Sequence, residues 1–138
     1  MIVRHVRSQV APSVCTATQR SWVYRTEIEN NHDRPVRVVW FEFYYLDGEN
    51  WFGINVRNRP LRSKDFVEWY GDGPERPDRD GWIAPGQTVI CDPNYSWAFG
   101  DELSPIKWSF LAVDSDGNDY FGEALVTQDA VSLYNAES

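Results

Sequence analysis

The stretch Val36-Arg-Val-Val-Trp-Phe-Glu-Phe-Tyr-Tyr-Leu46 decides the fold. It is dense in β-branched and aromatic side chains, holds no glycine or proline, and ends in Asp47-Gly48, a common hairpin dipeptide. A period of two places Val39, Phe41, Phe43 and Tyr45 on one face. Val38, Trp40, Glu42, Tyr44 and Leu46 then take the other. Both faces are mostly apolar, so a strand here needs cover on both sides. One cover is an inter-sheet core. The other is the segment 50–81, a ligand or a partner chain.

The same period runs outward in both directions. Upstream, Trp22, Tyr24, Thr26 and Ile28 alternate with Arg25, Glu27 and Glu29, and Asn30-Asn-His-Asp-Arg-Pro35 reads as a turn. Downstream, Ala84-Pro-Gly86 is a turn before a short strand, Gln87 to Cys91. Lys107 to Val113 is a strand, Asp114 to Asp119 a hairpin loop with Gly117 at positive φ, and Tyr120 to Val126 the returning strand. Residues 2–10 and 129–134 add edge strands. No window of 11 residues carries a 3.6-residue apolar period, so helix is expected to be absent or a single turn. The expectation is an all-β protein, one antiparallel β-sandwich of about seven to nine strands filling residues 1–138 as a single domain.

Residues 50–81 break the alternation. They are rich in charge, carry Pro60, Pro74 and Pro77, and read as a loop of about 30 residues. Trp51, Phe52, Phe66, Trp69 and Tyr70 within it argue that it packs down onto the sandwich, because disordered segments are poor in aromatics.

Composition excludes several function classes. The 138 residues hold 13 Lys and Arg against 21 Asp and Glu, a net charge of −8. The imbalance is uneven: residues 1–62 carry nine basic and six acidic side chains, residues 63–138 four and fifteen. Nucleic-acid affinity rests on Lys and Arg displacing counterions, so no nucleic-acid partner is expected. No apolar run approaches a membrane span, and the first residues lack the pattern of a secretion signal. Those features predict a chain outside the membrane and in the cytoplasm. Cys15 and Cys91 are far apart, no Cys-x-x-Cys occurs, and His5 and His32 are the only histidines, so no metal site is expected. The cysteines read as reduced, buried thiols, with a disulfide as the alternative for an exported chain. No phosphate-cradling loop opens a helix, and no cofactor is expected.

Several blocks, taken in order, resemble the ApaG family, whose domain also occurs at the C-terminus of some F-box proteins. They are Val23-Tyr-Arg-Thr-Glu-Ile-Glu-Asn30, Arg34-Pro-Val-Arg-Val38, Ile83-Ala-Pro-Gly86, and Lys107-Trp-Ser-Phe110 with Asp114-Ser-Asp-Gly117. The resemblance implies an immunoglobulin-like or fibronectin-III-like sandwich that serves as a protein-interaction module. That family's Gly-x-Gly-x-x-Gly motif is met only by Gly71-Asp-Gly73-Pro-Glu-Arg76, with arginine at the third glycine, so no site residue is carried over.

Candidate site residues come from chemistry. Glu42 projects between Trp40 and Tyr44, where partial desolvation would raise a carboxyl pKa and suit it to proton transfer. It is the candidate catalytic residue, and an ion pair with Arg57, Arg59 or Arg62 is the structural alternative. Trp40, Tyr44, Trp51, Trp69, Tyr70, Tyr95 and Trp97 are candidate ligand or partner contacts. The last five lie beside Asp and Asn residues, as in sites that stack sugar rings, and the alternative is that they anchor loops. Asp114, Asp116, Asn118 and Asp119 fall short of a calcium loop, because Gly117 comes early and strands flank it. The expected function is a non-catalytic module for protein interaction. The alternative is a small enzyme or binder of a small apolar, ring-stacking ligand, with proton-transfer chemistry of the isomerase, cyclase or lyase type at Glu42.

Overall fold

The computed structural model describes residues 1–10 and 19–135. Cys15 lies outside them. Among the described residues ten strands form two antiparallel sheets packed face to face, which makes the chain an all-β sandwich. In the first sheet β2 (Ser21–Glu29) is central. It pairs on one side with β7 (Thr88–Trp97), and on the other with β1 (Ile2–Val6) and β10 (Ser132–Tyr134) laid end to end. In the second sheet β3 (Val36–Asp47) pairs with β8 (Ile106–Val113), which pairs with β9 (Asp119–Val126) at the edge. The other side of β3 takes β4 (Asn50–Ile54), β5 (Leu61–Arg62) and β6 (Trp82–Ile83) in succession.

The inner faces interdigitate around Trp22, Tyr24 and Ile28 from β2 and Val38, Phe41, Trp108 and Phe110 from the second sheet, all buried. Phe41 and Phe110 stack with centroids 5.6 Å apart. The Trp108 indole donates to the Tyr24 hydroxyl at 2.8 Å, satisfying a polar atom that large rings carry into the core.

Two expectations are corrected by local backbone chemistry. The strict alternation assigned to β3 fails at Val39. A β-bulge lies there, since Val38 faces Ala112 while Trp40 faces the next residue back, Leu111. The extra residue flips the parity, so Val36 and Val38 are buried on the same side as Phe41, and Val39 leaves the core face. The loop expected at 50–81 begins as strand β4 and contains a two-turn helix, α1 (Ser63–Tyr70). At eight residues, the helix is shorter than the window over which a helical period can be read. Asp65 starts it by accepting the Arg62 backbone N–H at 2.8 Å. The buried Asp65 carboxylate also takes Arg59 at 2.6 and 2.7 Å and Arg57 at 3.1 Å. The Arg59 hydrogen bonds hold its pKa well below the usual carboxylate range, against the cost of burial.

Phe66 and Tyr70, one turn apart on α1, stack at 4.3 Å and insert against Phe41 and Phe110. Trp69 meets Phe41 and Trp108 edge-on at 5.3 and 5.6 Å. The helix thus fills the core-facing side of β3. No described element covers the opposite side of the sheet.

Candidate functional site

The open outer face of the second sheet follows from register. Trp40, Leu111 and Phe121 lie across it in one row, Glu42, Ser109 and Glu123 in the next, and Tyr44, Lys107 and Leu125 in a third. Trp51 stands beside them, paired with Leu46, and Gly53 pairs with Tyr44. Four of the sequence-derived candidates, Trp40, Glu42, Tyr44 and Trp51, therefore share one surface.

Glu42 meets no arginine among the described residues. Its Oε2 accepts the Tyr44 hydroxyl at 2.9 Å, and its other oxygen lies over Gly53, where a β-carbon would overlap the carboxylate. A glycine at this point of β4 is what lets Glu42 lie flat on the sheet. Loss of solvent, with the hydrogen bond to Glu42, pushes the Tyr44 phenol up to about 12. Lys107 reaches across both rings, its Nζ 4.5 Å from the Trp51 ring centre and 5.5 Å from that of Tyr44. The same ammonium lies 3.4 Å from Glu123, whose Oε2 accepts the buried Ser109 hydroxyl at 2.8 Å.

A shallow hollow of about 300 Å³ opens here, bounded by Trp51, Lys107, Glu123 and Leu125. Phe121 and Leu125 on the edge strand are 55% and 54% exposed. Sequence reasoning did not single out Lys107, Ser109, Phe121, Glu123 or Leu125. Their signal is the alternation Phe121-x-Glu123-x-Leu125, apolar residues on the face opposite the core, which gains meaning only once β9 is known to be an edge.

The remaining candidates lie elsewhere. Tyr70 is fully buried and Trp69 half-buried in the core beneath α1. Tyr95 and Trp97 project from the outer face of the other sheet, opposite Val23 and Ser21. There Trp97 is 60% and Phe99 83% exposed, with ring centres 6.1 Å apart. Cys91 is a buried free thiol, pushed up to about 12 by burial.

Among the described residues no three His, Cys, Asp or Glu side chains cluster as a metal ion requires, and no helix is long and apolar enough to cross a membrane. The Asp114 carboxylate is spent on the Asp116 and Asn118 amides and the Tyr120 hydroxyl of its own hairpin, with Arg34 3.6 Å away.

No family model, curated protein or solved structure matches this chain.

Proposed function

We propose that the protein is a non-catalytic β-sandwich module that docks a partner protein on the outer face of its second sheet, through a segment that is both apolar and basic. One observation carries the reading. Phe121 and Leu125 stand more than half exposed beside Trp40, Leu111 and Trp51 on a face that no described element covers. Contiguous apolar surface of that kind marks interaction sites in soluble domains. Two carboxylates, Glu42 and Glu123, lie at its centre beside the Lys107 ammonium, with Arg62 at its margin opposite Trp40, in a chain of net charge −8. That balance favours Lys or Arg in the partner. The ApaG-like blocks agree with an interaction module and add no site.

A set of extended dodecapeptides, varied in charge and aliphatic content and read by fluorescence anisotropy, tests the reading. Peptides combining Lys or Arg with aliphatic residues bind, more weakly at high salt. The double variant Phe121→Glu with Leu125→Glu loses that binding. Binding that is indifferent to this double variant refutes the proposal.

The hollow of about 300 Å³ is the basis of a second reading, a small-ligand site; Glu42 does not line it, so proton transfer by Glu42 needs a ligand that extends beyond the hollow. It requires Glu42→Gln to change an activity or a ligand affinity.

A further inference from the structure

A separate cleft of about 650 Å³ opens at the end of the sandwich where β3 begins, beside β6. Its walls are the Trp82 indole, Pro35 and Pro77, and Arg76 stands at its rim. We propose that this cleft binds an extended, proline-containing peptide segment bearing an acidic side chain.

The cleft is built before any ligand arrives. Trp82 is held because β6 pairs with the first residues of β3, Arg37 opposite Trp82. The segment Pro74–Gly81, which reads in sequence as a charged loop, is tied at several points. Glu75 O accepts the Ile90 amide at 2.9 Å and Arg76 O accepts the Gln87 side chain at 2.7 Å. Asp78 Oδ1 takes the Asp80 and Trp82 amides, each at 2.9 Å. A preformed trough spares a ligand the cost of ordering it.

Three features select the occupant. Arg76, Asp78, Ala84 and Ser115 line the cleft and are exposed, so it covers one side of a ligand only. Small-molecule sites bury most of their ligand's surface, which favours a chain lying along the trough. A half-buried indole and an exposed proline, Trp82 and Pro35, in the lining suit a polyproline II segment, whose prolines already hold the bound geometry. The Arg76 guanidinium makes no ion pair or hydrogen bond with any described residue, whereas nearby Arg34 is committed to Asp116 and Asp114. An unpaired cation at the rim of an apolar trough calls for a carboxylate. This surface is distinct from the docking face proposed above, since Trp82 aligns with Arg37 and that face is centred on Glu42, about 16 Å along β3.

The test uses fluorescein-labelled peptides with a Pro-Pro-Ala-Pro-Pro core flanked by two Glu or by two Lys. The Glu-flanked peptide binds the whole protein in preference to the Lys-flanked one. Arg76→Glu reverses the preference, weakening the Glu-flanked peptide about five-fold. Trp82→Ala costs about thirty-fold or more. The Phe121→Glu, Leu125→Glu protein binds as the parent does, which keeps this site's fate separate from that of the docking face. Arg76 is exposed, so its variant remains informative if Trp82→Ala fails to fold. No saturable binding of the Glu-flanked peptide below about 1 mM, or binding unmoved by Arg76→Glu, overturns the proposal.

Discussion

His5 ties the two sheets together, and its titration sets how the fold responds to acid. Its Nε2 lies 3.2 Å from Ala124 O, which can only accept, so Nε2 carries the proton. Nδ1, 2.9 Å from Thr26 Oγ1, then accepts the threonine hydroxyl, and that oxygen in turn accepts Asn94 Nδ2 at 3.0 Å. The chain of bonds is complete with a neutral ring. A second proton would turn the Thr26 hydroxyl away and place a charge in the sandwich. Burial accordingly lowers the His5 pKa from its usual 6.5 to about 4, opposed in part by the bond to Ala124. The unfolded chain therefore binds this proton between about pH 6.5 and 4 while the folded chain does not. Stability is full above that window, falls as pH drops through it, and levels off below. The whole span corresponds to about 3 kcal/mol, and the loss between pH 7.5 and 4.5 is about 2.5 kcal/mol. Asp65 and Asp114, held below the usual carboxylate range, stay ionised throughout and add little. Urea denaturation of the parent and His5→Gln at half-unit steps of pH measures the difference directly. The variant is less stable at pH 7.5 and lacks this component of the slope. Equal slopes in the two proteins would refute the assignment.

Two further outcomes bear on the excursion between β4 and β6. Asp65→Asn removes the charge that Arg59 pairs with and that starts α1, while Arg57 keeps Glu68 at 2.8 and 2.9 Å. It costs about 2 kcal/mol by denaturant titration, with faster amide exchange confined to residues 57–70. Phe66→Ala removes a fully buried ring that touches Phe41, Tyr70 and Phe110. It costs about 4 kcal/mol, and an unchanged midpoint would mean that α1 does not close the core.

The order of strands was legible because its signal is local. Turn residues at Asn30–Pro35, Asp47-Gly48, Ala84–Gly86 and Asp114–Asn118 punctuate runs of alternating residues, and each gave an element close to its expected place. Gly117 does take positive φ, at 83°. β7 extends past its expected end at Cys91 to Trp97, since Asp92-Pro93 together oppose the single residue Arg25 in an irregularity of the β2 pairing. α1 escaped because eight residues with three inward-facing rings leave too short a trace for periodicity.

Of the candidate surface, the sequence alone placed Trp40, Glu42 and Tyr44 side by side, since a period of two is a property of the strand itself. It also determined an all-β sandwich with more aromatic faces than one core can absorb. Tertiary structure decided which face was absorbed. Phe66, Trp69 and Tyr70 went to the Phe41 side because a helix capped by Asp65 could bring them there together. The bulge at Val39 sent Val38 inward with them. Bringing Lys107, Ser109 and Glu123 beside Glu42 took strand register, with Glu42 paired to Ser109, 67 positions away, and Ser109 to Glu123, which no local pattern encodes. Exposure of Phe121 and Leu125 was settled last, by β9 ending its sheet with an outer face that no described element covers.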